Sequence, residues 1–522
     1  MDADVDPLIN DEEIKIRGST IDEILSNTGS FGRYQKILLL LSILVFSSSV
    51  TFQSLITYYA ADDPPWRCVN LNISSFCRKG PFQEGTEMFT KRCSLNRDQW
   101  EYTLPKSYSF TTEFDLVCSN EYLKALSTAL FFVGATFGAF ISGPLSDSYG
   151  RKPVIIGCFL IEFLASSSGY FVNAVWQYLT LRLLIGTGFG SLTPTVYIYV
   201  SENVSPKTRA WFGNLYFIHF TVSMSIISAV AYYVPYWRKL VLFTSAYPLL
   251  AFILSWFLLE SPHWLSSKGK FEKAEHVLKM IGRLNKSNAT ISLERKFVNK
   301  SHSMSYLHLF NNRKVLMLTV LQSYLWFGVG LVFYTIALES SNLGGNLYTN
   351  FILSSLADFP CYAITAVSSI YFGRKKVMCS SFLITSAFLI SISLTPESYV
   401  TARVAMAVCG RIFAGLVFTT QYLWTFEIYP TVVRSKGMNV TQMFSRVGSA
   451  AAPFLSSVLQ DVDPRLPYFI MTGVAVAGSI ISMFLPEMLG KPTRKDYTEM
   501  YDGEKVVQVL PPVPPSVNGD EE

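Results

Sequence analysis

The sequence predicts an all-α polytopic membrane protein whose twelve transmembrane helices form two six-helix halves. Half of the 522 residues are hydrophobic and only 16% are charged, whereas a soluble chain carries roughly 25% charged residues. The apolar residues gather into about twelve runs long enough to cross the hydrocarbon layer, which takes about 20 helical residues. Polar motifs recur about 225 residues apart, as in a chain built from two similar halves.

The apolar runs divide the chain into spans and connecting segments. We expect a cytoplasmic N-terminus at 1–35, an N-terminal half at 36–259, a cytoplasmic linker at 260–314, a C-terminal half at 315–485 and a disordered cytoplasmic tail at 486–522. The first 35 residues lack the early apolar core of a signal peptide, so the first span should remain in the mature chain. The predicted spans are 36–59, 123–143, 153–173, 175–200, 210–231, 239–259, 315–338, 348–370, 377–395, 402–426, 437–459 and 467–485.

Lysine and arginine set the expected orientation, because basic residues concentrate in the cytoplasmic loops of membrane proteins. With both termini inside, the short inner segments carry several times more basic residues than the short outer ones. The sequence therefore predicts both termini in the cytoplasm. The net charge of +5, without any basic run, gives no support to a nucleic-acid partner.

A long loop at 60–122 is expected on the outer face and holds half of the eight cysteines. An even number of cysteines on the oxidising side predicts two disulfides, with three pairings open. The sequon at Asn72 lies in the same loop and predicts glycosylation there. The four cysteines are Cys68, Cys77, Cys93 and Cys118.

Two motifs recur in both halves and locate the expected gates. GPLSDSYGRK follows the second span and a second GRK follows the eighth, while the fourth and tenth spans each end in a glutamate with an arginine seven residues later. The repeated acids favour gating; the alternative is that the basic residues only set the topology. The candidate gating residues are Gly143, Asp147, Gly150, Arg151, Lys152, Glu202, Arg209, Gly373, Arg374, Glu427 and Arg434.

The chemistry of these motifs is that of a lock between helix ends. A loop of about ten residues is expected between the second and third spans, with Gly143 and Gly150 where backbones turn or approach closely. Asp147 can accept from a helix N-terminus or from an arginine across the seam between the two halves. We expect the two glutamates to pair with the arginines seven residues later, Glu202 with Arg209 and Glu427 with Arg434.

These motifs, with TEFDLVC at 112–118, ESPHWL at 260–265 and LPEMLGKP at 485–492, resemble the organic-ion transporter family of the major facilitator superfamily. The resemblance covers about residues 20–492. It implies the major facilitator fold and transport of small organic cations, carnitine-like zwitterions or organic anions across the plasma membrane by alternating access. Two departures are the four loop cysteines, where many relatives have six, and His263, which replaces an arginine.

Two charges at mid-depth in the C-terminal half are the main candidates for substrate binding, because an uncompensated charge there is costly. Arg446 lies in the eleventh span and Asp358 in the eighth. The resemblance implies that anion and carnitine-type carriers have arginine at the first position, and that carnitine-type carriers have tyrosine at Tyr362. A zwitterion is therefore expected, with its carboxylate on Arg446 and its ammonium near Asp358. The alternative is a structural role, either an ion pair between these two residues or Arg446 satisfying backbone carbonyls.

Aromatic residues complete the expected cavity, with Trp326, Tyr334 and Tyr422 as candidates. No cofactor, metal or enzymatic constellation is expected, although sodium or proton coupling is possible. Glu162 and His219 can relay protons or simply hydrogen-bond between helices. The competing functions are an organic anion transporter and a non-transporting receptor with the same fold; the oligomeric state is not predicted.

Overall fold

In the computed structural model every predicted span coincides with a helix, and we number these helices α1 to α12. The structure describes residues 20–70, 77, 81–82, 88–205, 208, 217–287, 292–293, 313–342, 347–396, 398–429, 434–457, 459 and 462–489. The helices are α1 (Arg33–Ala60), α2 (Tyr122–Tyr149), α3 (Arg151–Ser168), α4 (Val175–Glu202), α5 (Ile218–Tyr233), α6 (Trp237–Ser255), α7 (Arg313–Asn342), α8 (Leu347–Tyr371), α9 (Arg374–Leu394), α10 (Val400–Ile428), α11 (Arg434–Ser457) and α12 (Leu466–Phe484).

Within the described ranges, nine helices are long and apolar enough to cross a membrane. The other three that coincide with predicted spans are α5, with 16 residues, α8 and α11. The polar residues of α11 lower its mean hydropathy, and several of them line a cavity between the two halves. The predicted all-α fold is confirmed.

The connection between α2 and α3 is a single residue, so the expected loop of about ten residues is wrong. α2 continues through Gly143 to Tyr149, and α3 begins at Arg151. Hydropathy marks where a helix leaves the hydrocarbon layer, whereas the helix itself continues until its backbone bonding stops. It stops at Gly150, whose φ of +110° suits only glycine, and Gly373 with φ +84° precedes α9 in the same way.

Each half is a bundle held by close helix crossings. Gly186 and Gly190 of α4 face the backbone of α2 with no room for a Cβ, and Gly448 of α11 faces α7 likewise. Small residues allow such approaches between helices in membranes. The two halves meet along α2 with α11 and along α5 with α8.

The segment between α1 and α2 forms a small module around two strands, β1 (Trp66–Cys68) and β2 (Trp100–Tyr102), paired antiparallel. The Trp66 and Trp100 rings are buried and 5.8 Å apart. The module is fastened to α6, because Glu113 accepts from Arg238 at 2.6 Å and from Trp237 at 2.7 Å. The cysteines form the disulfides Cys68–Cys77 and Cys93–Cys118, and Asn72 lies outside the described residues.

Short helices cover the opposite end of the molecule. Helix Ile21–Asn27 packs against helices Pro262–Ser267 and Phe271–Leu284 through buried aliphatic side chains. Asn285 accepts from the backbone N–H of Tyr34 at 2.9 Å, in the first turn of α1. We call this end, where α2 meets α3 and α8 meets α9, the motif side, and the end bearing the disulfide module the disulfide side.

Candidate functional site

A cavity of about 390 Å³ lies between the two halves. Residues of α1, α4 and α5 line one wall, and residues of α7, α8, α10 and α11 line the other. Its size is that of a site for a small organic molecule. Its lining is largely aromatic and apolar, and it includes the two charged side chains expected at mid-depth, Asp358 and Arg446.

The halves touch at the disulfide side of this cavity. Ser225 Oγ on α5 lies 2.8 Å from Ser355 Oγ on α8, and Thr221 Oγ1 lies 3.3 Å from the Tyr362 hydroxyl. Ser355 precedes Asp358 by almost one turn on α8, so its contact with Ser225 lies between Asp358 and the disulfide side, whereas Tyr362 lies one turn beyond Asp358 toward the motif side. On the disulfide side of Asp358 the two halves are therefore in direct contact.

In the opposite direction the cavity extends to the motif side. Its lining includes Glu202 at the end of α4, His263 beyond α6, and Met438 in the first turns of α11. A ligand bound near Arg446 would thus communicate with the motif side and be separated from the disulfide side. This is the geometry of one end state of an alternating-access cycle.

Asp358 does not pair with Arg446, so the alternative of an ion pair between these two residues is wrong. Its carboxylate accepts from Arg411 of α10, with N–O distances of 3.3 and 3.4 Å. Both side chains are almost fully buried, and the Arg411 guanidinium also stacks on Phe333 at 4.0 Å. Arg411 reaches Asp358 first because α8 and α10 pack directly against each other.

Arg446 lies opposite, against the N-terminal half. Its guanidinium stacks over the Phe189 ring at 4.6 Å and interacts with the Tyr334 hydroxyl. In the part of the chain that the structure describes, no carboxylate lies within ion-pair distance of Arg446. Since Asp358 is neutralised by Arg411, Arg446 is left, among the described residues, as a positive charge in the cavity wall without a paired carboxylate.

The predicted aromatic residues divide into two groups. Tyr334, Tyr362 and Tyr422 line the cavity. Trp326 does not, because its ring is buried behind Tyr422 at 4.6 Å and its indole N–H donates to Thr425 at 3.0 Å. Trp326 therefore supports the cavity wall instead of facing a ligand.

The GRK motif of the N-terminal half forms a charge cluster. Arg151 donates to Asp147 at 2.6 Å and to Glu202 at 3.1 Å, joining the ends of α2, α3 and α4. Glu260, beyond α6, accepts from the backbone N–H of Arg151 at 3.0 Å. A carboxylate at that place satisfies free N–H groups at the helix N-terminus. Lys152 instead donates to a backbone carbonyl of α6, that of Trp256.

The C-terminal half repeats this cluster. Arg374 donates to Glu427 at 2.7 Å, and Glu487 accepts from the backbone N–H groups of Arg374 and Lys375. Burial alone would raise the pKa of Glu487, but the backbone hydrogen bonds that its carboxylate accepts hold this pKa below its usual value. Asp147 has no acidic counterpart here, because Ile370 stands three residues before Gly373.

Two expected ion pairs stay predictions. Arg209 lies outside the described residues, and of Arg434 only the backbone at the start of α11 is described. Glu202 and Glu427 have arginine partners in the GRK motifs instead. Sequence reasoning missed this use of Glu260 and Glu487, although both follow the last helix of their half, 227 residues apart. Among the described residues, no group of acidic, cysteine or histidine side chains could hold a metal.

Comparison with known proteins identifies relatives along most of the chain. The profile of the family described as "Sugar (and other) transporter" matches residues 80–501. Organic anion transporter 3 from Homo sapiens is 31% identical over 405 residues, covering 76% of this chain and 74% of its own length. Organic cation/carnitine transporter 2 from Homo sapiens is 29% identical over 403 residues, covering 76% and 72%.

Solved structures show the same fold. The inward open conformation of the xylose transporter XylE from E. coli superposes with a TM-score of 0.61 at 15% identity, covering 88% of this chain and 98% of the other. The resemblance to organic-ion transporters of the major facilitator superfamily is confirmed by the curated relatives. The chain belongs to the sugar (and other) transporter family.

Proposed function

We propose that the protein is a secondary transporter of small organic ions that carry a carboxylate. The observation that carries this proposal is Arg446, a positive charge in the cavity wall without a carboxylate partner among the described residues. A guanidinium binds a carboxylate through two parallel hydrogen bonds, which are stronger than neutral ones. The ligand carboxylate would supply the missing partner.

The balance of charged side chains in the cavity favours anions and zwitterions over simple cations. Asp358 forms an ion pair with Arg411. The two charges largely cancel, so little negative charge remains to attract an ammonium group. A zwitterion keeps one favourable environment for its ammonium, the faces of Tyr334, Tyr362 and Tyr422. Organic anions and carnitine-like zwitterions are therefore the proposed substrates, in agreement with the names of the relatives.

The proposed mechanism is alternating access between the two halves. In the observed state the disulfide side is closed by contacts between α5 and α8, whereas the cavity reaches the motif side. Transport requires these contacts to separate while the motif side closes. The clusters around Arg151 and Arg374 lie at the ends of the moving helices and would bias this equilibrium.

We further propose a plasma membrane location with both termini and the motif side in the cytoplasm. The basic residues of the motif side agree with the positive-inside rule. Disulfides on the opposite side agree with an oxidising exterior. In this arrangement 36–259 and 315–485 are the two moving halves, 260–314 is the cytoplasmic linker, and Asn72 is the proposed glycosylation site.

Uptake of three radiolabelled probes into cells expressing the protein tests this function. The probes are p-aminohippurate, carnitine and tetraethylammonium, which are an anion, a zwitterion and a cation. Arg446→Ala should raise the KM for the first two by about tenfold or more, since hydrogen bonds to charged groups contribute about 1.5–3 kcal/mol. The matched control is Arg465→Ala, an exposed arginine at the start of α12.

Two results would contradict the proposal. Absence of uptake of any probe by surface-expressed wild type would favour the receptor alternative. Equal loss of all three activities in a well-expressed Arg446→Ala protein would remove the substrate-selecting role of this residue.

A further inference from the structure

The cavity mechanism leaves one buried acid of the N-terminal half unused. Glu162 lies in the middle of α3, and its side chain is fully buried. It does not line the cavity. A carboxylate at this depth is costly unless it is compensated, and such residues are functional candidates by default.

The surroundings of Glu162 satisfy only one of its two oxygens. Ser49 of α1 donates to Oε2 at 3.1 Å, while Oε1 has no hydrogen-bond partner among the described residues. On the α4 side Glu162 faces Gly188, which has no side chain to offer a partner. A Cβ built on Gly188 would lie 3.4 Å from the Glu162 Cβ. The site therefore has one acceptor oxygen left open in a fully buried position.

Three consecutive serines of α1 contact the cavity, α5 and this acid in turn. Ser47 lines the cavity, Ser48 faces Ser223 of α5, and Ser49 donates to Glu162. Ser48 Oγ lies 2.8 Å from Ser223 Oγ, which itself donates to the carbonyl of His219, another cavity residue, at 2.5 Å. Adjacent polar positions of α1 thus lie next to the cavity, next to α5 and next to Glu162.

The local shape of α1 supports movement at this point. Residues Ser42–Phe46 form a π-helical turn immediately before Ser47, and such turns are frequent at functional sites. Phe46 and Ser47 both line the cavity. A change at Glu162 therefore reaches the cavity wall through the Ser49 contact and the adjoining turn.

We infer that Glu162 is a proton-binding site, loaded from the cavity through the serines of α1, and that its proton is coupled to the transport cycle. This inference rests on the proposed transport function. The step is a simple transfer: hydronium in the cavity releases a proton, and the carboxylate becomes a carboxylic acid carrying that proton on its open oxygen. Release on the other side of the membrane regenerates the carboxylate, so that one proton moves per cycle.

The titratable groups around Glu162 leave it without a fixed cation. Cys158, one turn earlier on α3, is in electrostatic contact with it and bonds with Ser191 of α4. Arg182 of α4 lies six residues from Gly188, about 9 Å along the helix, where it donates to the Gln53 carbonyl at 2.7 Å.

In the described part of the chain, the other neighbouring helices place no charged side chain against this acid. The Tyr247 ring of α6 meets Phe52 edge-on at 4.4 Å. α2 carries its charged residues, Lys124 and Asp147, only near its ends. The α1 positions beside Glu162 are serines, and His219 of α5 faces the cavity.

The test measures uptake of p-aminohippurate and carnitine against external pH, between about pH 5.5 and 7.5, with a pH-sensitive dye inside the cells. Wild-type uptake should change by up to about tenfold per pH unit, the limit for one proton, and substrate should drive proton entry. Glu162→Gln should still transport, with a flat pH profile and no substrate-driven proton entry. Cys158→Ala is the matched control and should keep the wild-type profile.

A second variant keeps the inference testable if Glu162→Gln does not reach the cell surface. Ser49→Ala removes the donor that stabilises the ionised form, so half-maximal uptake should move to higher pH. The inference is overturned by a flat wild-type profile, by a normal profile in both variants, or by a profile that His219→Gln abolishes and Glu162→Gln retains. Absence of uptake in wild type would instead refute the proposed function itself.

Discussion

Asp358 and Arg446 illustrate what residue type and depth can reveal and what they cannot. Both are charged residues in apolar runs, so their place in a functional cavity could be predicted. Their partners could not, because partner choice depends on how each helix is rotated about its axis. Arg411 pairs with Asp358 because α10 packs on α8. Trp326 was misplaced for the same reason, since it faces α10 rather than the cavity.

The buried pair should be sensitive to the loss of one partner. Asp358→Asn leaves the Arg411 charge uncompensated in a position with almost no exposure, and such changes cost about 3–5 kcal/mol. We expect a marked fall in the thermal unfolding temperature of the purified protein. The double variant Asp358→Asn with Arg411→Gln should recover most of that loss, and a double variant no better than the single one would contradict the pairing.

The helix connections were predicted in position but not in form. The glycines of the GRK motifs were expected at turns, and Gly150 and Gly373 are the turns. Gly143 does not lie at a turn but inside α2, because the end of an apolar run does not end a helix. The acids beyond α6 and α12 could have been found from their similar spacing to the GRK motifs, since Glu260 and Glu487 follow Gly150 and Gly373 by 110 and 114 residues.

Gly150→Ala tests the single-residue connection. Alanine is strained at φ +110°, and its Cβ would meet the carboxylate of Glu260. The free energy of unfolding should fall by more than about 1 kcal/mol, the usual scale of an unfavourable backbone conformation. Gly157→Ala is the matched control, because a Cβ there meets nothing within 4 Å and alanine is favoured inside a helix. Equal stability of the two variants would refute this account.

The disulfide module should make a pH-dependent contribution to stability. Asp62, which follows α1, accepts from the Tyr108 hydroxyl at 3.2 Å. Burial raises the pKa of Asp62 from 3.8 to about 6, with the Tyr108 hydrogen bond opposing and the Asp63 carboxylate adding to the shift. Because the folded-state pKa is the higher one, the stabilising contribution is complete below about pH 4 and is lost as pH rises to about 6.

Asp62→Asn should remove this dependence. Thermal unfolding of the purified variant should vary less than that of wild type between about pH 4 and 6, and at pH 7 the variant should be the more stable protein. The control is Asp98→Asn, an exposed acid in the same module. If the two variants show the same pH dependence as wild type, Asp62 does not carry the effect.

At the scale of the whole molecule, hydropathy and the repeat predicted the twelve helices, the two halves and a cavity between them. Bilayer thickness sets the length of the apolar runs, and the repeat sets the spacing of the motifs. Both patterns can be seen directly in the sequence. The sequence carried no sign of which side is closed. That choice is a small difference in free energy between two arrangements of the same halves, and a few contacts such as Ser225 with Ser355 decide it.

Alternating access requires the contact between α5 and α8 to break once in every cycle. The Oγ atoms of Ser225 and Ser355 lie 2.8 Å apart across the two halves, so cysteines at both positions bring two sulfurs to bonding distance. Oxidation of Ser225→Cys with Ser355→Cys should abolish uptake of p-aminohippurate and carnitine by holding the disulfide side closed, and a reductant should restore it. Each single variant, treated identically, should transport like oxidised wild type. Full uptake by a demonstrably cross-linked protein would mean that the two helices need not separate, and the alternating-access mechanism proposed for this cavity would be wrong.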